Sequence, residues 1–302
     1  MTATVTAGVF PGQGSQSVGM GRELADRFDI VRDSFAEAND VLGFDLTAIC
    51  DEGPAEELKR TSIAQPALVM MSTAYWRVLI NQGFSCSVVA GHSLGEYSAL
   101  VAAGALTYPD ALLLVRKRGQ LMEAAAADNP GGMAAIIGMG DADVEALCAE
   151  LSAEYGVLVP ANYNSPGQVV VSGKSTAIAA VRSAAKARGA RAIPLAVSGP
   201  FHSPLMQTAA DAFVDELSRV TISAPMIPIV PNVTATPTSD PEAIRDALVR
   251  QITGSVRWVS SLYAMRDMGT QQFVEIGPGN VLTGLVQRTL PGVTANPVSE
   301  IL

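Results

Sequence analysis

The chain has 302 residues, of which 48% are hydrophobic and only 16% are charged, a balance that suits a buried α/β core and excludes extended disorder. Its net charge of −9 argues against nucleic-acid binding, because phosphate contacts need a basic surface. No apolar stretch reaches the roughly 18 residues that a membrane-spanning helix needs.

Three strand–turn–helix units are predicted in the outer parts of the chain. An apolar strand at Thr6–Phe10 is followed by a glycine turn and by a helix that runs toward Ala38. The other two units place strands at 87–90 and 272–276 before helices at 94–103 and 281–290, and a buried helix is predicted at 63–80. This alternation predicts a parallel sheet that is covered by helices on both faces.

The middle of the chain has a different order of predicted elements, β-α-β-β-α-β, which is the split βαβ or ferredoxin-like pattern. Glycine- and proline-containing segments at 129–132 and 198–200 are the expected hinges. The predicted strands and helices of this part are 133–139, 142–154, 157–163, 168–172, 176–188 and 191–197, with a turn at 164–167.

The predicted fold class is therefore α/β, in two parts. An α/β-hydrolase-like core with a parallel sheet is expected from residues 1–127 and 199–302. A ferredoxin-like subdomain is expected to be inserted at residues 128–198. A size of about seventy residues is consistent with a minimal independent fold.

A candidate nucleophile lies in the second strand–turn–helix unit. Gly91-His92-Ser93-Leu94-Gly95 has the Gly-x-Ser-x-Gly spacing of a nucleophile elbow, in which the glycines permit a sharp turn and the next backbone N–H points at the oxyanion. Because the motif is short and the chain has 27 glycines, the motif can also occur by chance, so an ordinary serine in a turn is the alternative. The apolar strand before it and the alanine- and leucine-rich helix after it favour a serine that takes up an acyl group.

The base that Ser93 needs can be narrowed down because the chain has only two histidines, His92 and His202. His92 adjoins the serine on a tight turn, so we expect its ring to point elsewhere and to form a local hydrogen bond. His202 follows the second hinge, where a loop histidine can reach the top of the sheet and act as a general base. A loop histidine that is satisfied by other partners is the alternative.

Nucleotide binding through the two glycine-rich loops is not expected. Gly12-x-Gly14 lacks the third glycine of the dinucleotide fingerprint because Ser17 stands there. Gly173-Lys174-Ser175 resembles the end of a P-loop, but Gln168 stands where that loop requires glycine.

Six motifs, in this order, resemble those of the malonyl-CoA:acyl carrier protein transacylases of type II fatty acid synthesis and of the acyltransferase domains of polyketide synthases. The resemblance covers nearly the whole chain and is highly specific, whereas composition and spacing alone indicate only a serine acyl enzyme. The motifs are Phe10-Pro11-Gly12-Gln13-Gly14-Ser15-Gln16, Gly91-His92-Ser93-Leu94-Gly95-Glu96-Tyr97, Arg116-Lys117-Arg118-Gly119, Asn162-Tyr163-Asn164-Ser165-Pro166-Gly167-Gln168, Gly199-Pro200-Phe201-His202-Ser203 and Glu275-Ile276-Gly277-Pro278-Gly279.

The resemblance implies roles for five catalytic positions. Ser93 would carry the acyl group, His202 would be its base, and the main-chain carbonyl of Gln251 would accept a hydrogen bond from the histidine. The backbone N–H groups of Gln13 and Leu94 would form the oxyanion hole. Without the resemblance, Gln251 could equally be an exposed helix residue, and the glycines around Gln13 could merely make a turn.

Four further residues are assigned to the substrate site: Arg118, Phe201, Asn162 and His92. Arg118 lies in an apolar helix predicted at 111–122, so its guanidinium needs an anionic partner. A malonyl carboxylate could be that partner through two parallel hydrogen bonds, and a structural ion pair is the alternative. By the same resemblance, Phe201 is similar to the bulky residue that disfavours α-branched acyl groups in the malonyl-selective members of the family. Asn162 would shape the pocket or the His202 loop, or would cap a strand end.

The expected reaction is a ping-pong transfer of malonyl from malonyl-CoA to the phosphopantetheine thiol of acyl carrier protein, with no metal and no cofactor. Two other functions stay open: a serine hydrolase, in which water resolves the acyl-enzyme, and a non-enzymatic subunit that binds carrier protein. Neither nucleic acid nor membrane is an expected partner, and we expect a monomer.

The cysteines and the N-terminus indicate a cytoplasmic location. Cys50, Cys86 and Cys148 are far apart and lack metal-ligand spacing, so buried thiols in a reducing compartment are expected. The N-terminus has no basic region followed by an apolar segment, so secretion is not expected.

A basic segment is the candidate docking surface for the acidic carrier protein. Residues 174–191 contain Lys174, Arg182, Lys186, Arg188 and Arg191 and no acidic residue. Arg182 and Lys186 share a helix face by their i,i+4 spacing. An ordinary solvated helix face is the alternative.

Overall fold

The computed structural model describes residues 5–302, which form eight β-strands in two sheets and thirteen α-helices. Residues 1–4, where the predicted core begins and where part of the secretion prediction falls, lie outside this range. The strands are β1 (Thr6–Phe10), β2 (Val88–Gly91), β3 (Gly131–Ile137), β4 (Leu158–Ser165), β5 (Gln168–Lys174), β6 (Arg191–Pro194), β7 (Gln272–Glu275) and β8 (Thr294–Pro297).

The helices surround both sheets, and none within residues 5–302 is long and apolar enough to cross a membrane. They are α1 (Arg22–Arg27), α2 (Asp29–Leu42), α3 (Leu46–Glu52), α4 (Ala55–Lys59), α5 (Thr61–Asn81), α6 (Gly95–Ala102), α7 (Tyr108–Asp128), α8 (Asp141–Tyr155), α9 (Ser175–Ala187), α10 (Gln207–Ser218), α11 (Pro241–Gln251), α12 (Trp258–Asp267) and α13 (Val281–Thr289), with short 3-10 helices at Pro204–Met206 and Val298–Glu300.

The first sheet is parallel throughout, with the strand order β2-β1-β7-β8. Successive residues of a strand point to opposite faces, so Ala7 and Val9 join one hydrophobic cluster while Phe10 joins another. The predicted parallel sheet with two covered faces is therefore confirmed. The edge strand β8 has no counterpart among the predicted strands, because its four residues include two polar ones and end in proline.

The predicted continuous helix toward Ala38 is wrong. Two helices, α1 and α2, replace it, and Phe28 separates them with an extended backbone at φ −135° and ψ 119°. Helix α7 extends beyond the predicted 111–122 at both ends, and it begins at Tyr108 because the side chain of Thr107 caps its first turn by accepting from the N–H of Asp110.

The second sheet is antiparallel, with the strand order β4-β5-β3-β6, and α8 and α9 pack on it around a hydrophobic cluster of their own. Three boundaries differ from the prediction. Part of the predicted hinge 129–132 belongs to β3, because Gly131 and Gly132 pair with residues of β5. The strand predicted at 191–197 ends at Pro194, and only two residues of the turn predicted at 164–167 lie outside the strands.

The carboxyl ends of β1, β2 and β7 meet at one edge of the parallel sheet. The loop of Gln13 follows β1, the turn of Ser93 follows β2, and a glycine-rich turn follows β7. Loops at this edge of a parallel sheet are the usual place for a ligand site.

Candidate active site

The turn that carries Ser93 is sharp enough to exclude side chains at both flanking glycines. A Cβ atom on Gly91 would lie 1.8 Å from the backbone carbon of Gly95, and one on Gly95 would lie 2.0 Å from the carbonyl oxygen of Phe10. Ser93 has a left-handed backbone with φ 50°, a conformation that costs a non-glycine residue energy and that clusters at functional sites. The strand–turn–helix geometry of a nucleophile elbow is present.

The side chain of Ser93 meets that of His202. The Oγ atom lies 2.7 Å from the Nε2 atom of His202, which sits on the loop after β6. The Nδ1–H of His202 donates to the carbonyl oxygens of Gln251 at 2.9 Å and Gly254 at 3.1 Å. These carbonyls hold the hydrogen on Nδ1, which leaves Nε2 as the acceptor for the serine hydroxyl.

His202 is buried, and its pKa is lowered to about 3. Burial is the largest cause, and the positive charge of Arg118 acts in the same direction, whereas the hydrogen bond to the Gln251 carbonyl opposes the shift. The imidazole is therefore neutral at pH 7, which is the form that can accept a proton from Ser93.

Gln251 is the last residue of α11 and is fully buried, so an exposed helix position is not what the structure shows. Besides the contact of its carbonyl with His202, its side chain accepts a hydrogen bond of 2.9 Å from Arg118 Nη2. Gln251 thus contacts His202 through its main-chain carbonyl and Arg118 through its side-chain oxygen.

Arg118 is only 1% exposed and lies on α7. Its Nη2 is 3.4 Å from Ser93 Oγ, its guanidinium stands over the ring of Tyr97, and its Nε has no hydrogen-bond partner within residues 5–302. The same part of the chain offers it no carboxylate at ion-pair distance. The structural ion pair that was the alternative for Arg118 is absent there.

The loop of Gln13 packs directly against the nucleophile turn. A Cβ atom on Gly12 would lie 2.4 Å from the carbonyl oxygen of His92, so the two loops touch through their backbones. Gln13 and Leu94 both line the same cavity as Ser93, and neither backbone N–H donates a hydrogen bond to another group in residues 5–302. The Gln13 loop therefore not only makes a turn but also contacts the nucleophile turn and lines the cavity.

The remaining predicted substrate-site residues, His92, Asn162 and Phe201, line this cavity as well. The His92 ring forms the predicted local hydrogen bond, to its own backbone, and its Nε2 also lies 2.8 Å from Oδ1 of Asn164, which is 72 residues away in the sequence. Burial lowers the pKa of His92. Asn162 lies inside β4 rather than at its end, so it does not cap the strand.

The cavity has a volume of about 250 Å³ and is mostly apolar, with a few polar groups that converge on Ser93. No group of three or more histidine, cysteine, aspartate or glutamate side chains in the described chain could hold a metal ion.

Four polar residues of the site have no role in the sequence prediction: Gln65, Glu96, Asn164 and Asn232. Gln65 lines the cavity, and its Oε1 has no partner within residues 5–302. Asn232 accepts a hydrogen bond of 2.6 Å from the Ser93 N–H. Gln65 and Glu96 could have been noticed as polar residues inside apolar helices, but the loop around Asn232 gives no such signal.

Comparison with known proteins agrees with this geometry. The acyl transferase domain family matches residues 8–302. The chain belongs to this family. The acyl transferase is 50% identical over 299 residues to a Salmonella typhimurium protein named malonyl CoA-acyl carrier protein transacylase, a match that covers 98% of this chain and 96% of that protein. A protein of the same name from Escherichia coli K12 is 48% identical with the same coverage.

Two solved structures superpose on the acyl transferase with a TM-score of 0.94, and each match covers 97% of this chain and 96% of the other. One, at 44% identity, is an acyl carrier protein S-malonyltransferase from Vibrio cholerae. The other, at 45% identity, is a malonyl-transacylase in complex with its type II PKS acyl-carrier protein. The resemblance drawn from the six sequence motifs is confirmed.

Proposed function

We propose that this acyl transferase moves a malonyl group from malonyl-CoA to the phosphopantetheine thiol of acyl carrier protein. The observation that carries the proposal is a serine 2.7 Å from a neutral histidine, beside a buried arginine that has no carboxylate within ion-pair distance in residues 5–302. The names of relatives near 50% identity over almost the whole chain supply the donor and the acceptor.

Loading of the enzyme requires a proton acceptor and a place for negative charge. Ser93 Oγ attacks the thioester carbonyl of malonyl-CoA while its proton passes to His202 Nε2. The Gln13 and Leu94 N–H groups stabilise the oxyanion, a contribution of about 3–4 kcal/mol for one such donor. The C–S bond then breaks, and the His202 proton passes to the departing sulfur of CoA.

Transfer to carrier protein reverses these steps with a second thiol. His202 takes the proton of the phosphopantetheine thiol, whose sulfur attacks the ester carbonyl of malonyl-Ser93. The bond between the malonyl carbonyl carbon and Ser93 Oγ breaks, which leaves malonyl on the phosphopantetheine sulfur, and the serine recovers its proton from His202. The Gln251 carbonyl orients the ring throughout, although a neutral carbonyl stabilises the imidazolium less than a carboxylate would.

The choice of malonyl rests on Arg118, with Phe201, Asn162 and His92 as further walls of the substrate site. The Arg118 guanidinium can hold the free carboxylate of malonyl by charge-assisted hydrogen bonds, whereas an acetyl group has no carboxylate to bind. The bulk of Phe201 beside His202 disfavours α-branched acyl groups.

The mass of the intact protein after exposure to malonyl-CoA tests the proposal. Wild type should gain one malonyl group, and Ser93→Ala should gain none. Ser98→Ala, which removes another buried hydroxyl on α6, is the matched control and should load normally. Labelled malonyl should then move to added carrier protein. Release of free malonate without transfer would indicate a hydrolase, and an adduct on Ser93→Ala would exclude Ser93 as the nucleophile.

The finer architecture is part of the proposal. The parallel sheet with its nucleophile turn supports an α/β-hydrolase-like core from residues 1–127 and 199–302. The antiparallel order β4-β5-β3-β6 with two helices supports a ferredoxin-like subdomain at residues 128–198.

The basic segment remains the proposed docking surface for carrier protein, which would steer the acidic partner by local charge. Lys174, Arg182, Lys186 and Arg191 are exposed, whereas Arg188 forms an ion pair with Glu150 and contributes less free charge. We further propose a monomer that needs no cofactor and works in the cytoplasm, where its three free thiols would stay reduced.

A further inference from the structure

Side chains hold the backbone of Ser93 on both sides. Its N–H donates to Asn232 Oδ1 at 2.6 Å, and its carbonyl oxygen accepts from Gln251 Nε2 at 3.0 Å. Asn232 Nδ2 also donates to the carbonyl oxygen of Gly91, at the start of the same turn, at 2.6 Å. A left-handed serine persists only where the surrounding structure holds it, so these contacts maintain the turn.

One carboxylate contacts both of these residues, Asn232 through its backbone and Gln251 through its side chain. Glu96 Oε2 accepts hydrogen bonds from the backbone N–H of Asn232 at 2.9 Å and from Gln251 Nε2 at 2.8 Å. Glu96 is 0% exposed and lies in the first turn of α6, three residues after the serine. Because the acceptor is buried, no water can replace it without a change in packing.

The consequences of this arrangement extend beyond Ser93. Gln251 presents its carbonyl oxygen to His202 and its Oε1 to Arg118, so a displaced Gln251 would disturb the base and the arginine together. The Glu96 carboxylate thus directly contacts the two residues, Asn232 and Gln251, that hold Ser93, His202 and Arg118.

We propose that Glu96 is a positioning residue of the transfer reaction, which acts through Asn232 and Gln251 to fix Ser93 and His202 in their reactive geometry. The proposal rests on the proposed function, in which Ser93 is the nucleophile. Glu96 itself touches neither substrate nor the reacting atoms.

The chemistry of the contact allows geometry to be separated from charge. Glu96→Gln can place its amide oxygen at the position of Oε2, so the acceptor is kept. Its NH2 then takes the position of Oε1, an atom that has no hydrogen-bond partner within residues 5–302. Glu96→Ala removes the acceptor. Glu96→Asp keeps the charge but withdraws the oxygen by one methylene, and it perturbs folding less than alanine does.

The rate at which a small fluorophosphonate labels the active-site serine tests the proposal without using malonyl binding. We expect Glu96→Ala and Glu96→Asp to label about 10²-fold more slowly than wild type, as a misplacement of about 1 Å can cause, and Glu96→Gln to recover most of the rate. Malonyl loading from malonyl-CoA should follow the same order. Near-ultraviolet circular dichroism and thermal melts establish that each variant is folded.

Glu123→Ala is the matched control, because it removes another carboxylate that accepts two hydrogen bonds, from Ser62, away from Ser93. It should label within about twofold of wild type. Wild-type rates in folded Glu96→Asp, or equal slowing in the aspartate and glutamine variants, would overturn the proposal. Equal labelling of Ser93→Ala would instead overturn the proposed function.

Discussion

Arg118 donates a hydrogen bond of 2.9 Å to the side chain of Gln251, whose own carbonyl oxygen accepts from His202 at 2.9 Å. The residue proposed to bind the malonyl carboxylate is thereby joined to the residue that orients the base. A change at Arg118 should consequently affect substrate choice and the ionisation of His202 in separate ways, and each can be measured.

Arg118→Ala should lower the preference for malonyl over acetyl. The variant loses two charge-assisted hydrogen bonds to the malonyl carboxylate, each worth about 1.5–3 kcal/mol, so malonyl loading should fall by about 10²-fold or more relative to acetyl loading. Loading rates from malonyl-CoA and acetyl-CoA, followed by intact mass, give the ratio.

Arg116→Ala is the control for loss of a positive charge from the same helix. Arg116 donates to the carbonyl oxygen of Leu42 and stands over the ring of Phe44, and it is not part of the cavity. Its removal should leave the malonyl-to-acetyl ratio unchanged. An equal ratio in Arg118→Ala and wild type would contradict the proposed role of Arg118.

The acid side of the pH profile should reflect the lowered pKa of His202. Since burial and the charge of Arg118 lower this pKa from 6.5 to about 3, the base stays neutral, and loading should not decline near pH 6.5. The kcat/KM for acetyl-CoA, which reports the free enzyme and whose acyl group has no carboxylate, should stay level well below pH 6.

Arg118→Ala should move that acid limb to higher pH. The variant removes one of the three causes that lower the pKa of His202, the charge of Arg118, but leaves burial, the largest cause, in place. A wild-type limb near pH 6.5, or a limb that moves to lower pH in the variant, would show that Arg118 does not act on His202 in this way.

The parts of the site that sequence predicts are those with a local signature. Ser93 lies in a short motif between a recognisable strand and helix, and His202 follows because the chain has only one other histidine. Arg118 stands out as a charge within an apolar helix. Each of these signals requires only neighbouring residues or a count.

The supporting contacts could not be predicted because they join distant parts of the chain. Asn232 is 139 residues from Ser93, and Gln251 is 155 residues from Glu96, so no spacing rule links them. The same applies to the fold: periodicity predicts both sheets, but the break at Phe28 depends on a local backbone conformation that hydrophobic periodicity does not encode.

Gly95→Ala should disrupt the nucleophile turn. The new Cβ would lie 2.0 Å from the carbonyl oxygen of Phe10, so β1 and α6 must move apart, and overpacking of this kind costs about 1–3 kcal/mol or more. Chemical denaturation should show the loss of stability, and fluorophosphonate labelling of Ser93 should be slower. Gly132→Ala is the control, because its Cβ would meet no atom within 4 Å. Equal stability of the two variants would contradict the predicted clash.

Glu96 should make the stability of the protein depend on pH. Burial raises its pKa from 4.5 to about 7, although hydrogen bonds from Asn232 and Gln251 and the charge of Arg118 oppose the shift. The folded state therefore binds more protons than the unfolded state between these values, so this group's contribution is present at low pH and is lost as pH rises through about 7.

Comparison with Glu96→Gln isolates this contribution, because His202 titrates in both proteins. The free energy of unfolding of wild type minus that of the variant should fall by up to about 3 kcal/mol between pH 4.5 and pH 8. Urea denaturation at several pH values measures it. A difference that stays constant or rises with pH would mean that the pKa of Glu96 is not raised.

Charge reversal on α9 should slow transfer to carrier protein without slowing the loading of Ser93. Arg182 and Lys186 are exposed one turn apart on the same helix face, so Arg182→Glu with Lys186→Glu replaces attraction for an acidic partner by repulsion. The second-order rate of transfer from malonyl-enzyme should fall at low salt, and the deficit should shrink as salt screens the charges.

A double variant with the same change of net charge separates a local surface from overall charge. Lys59→Glu with Arg266→Glu alters two exposed residues on α4 and α12. If the α9 surface docks the carrier protein, this control should transfer nearly as fast as wild type at every salt concentration. Equal slowing of both double variants would assign the effect to net charge, and unchanged transfer in the α9 variant would remove this surface as the docking site.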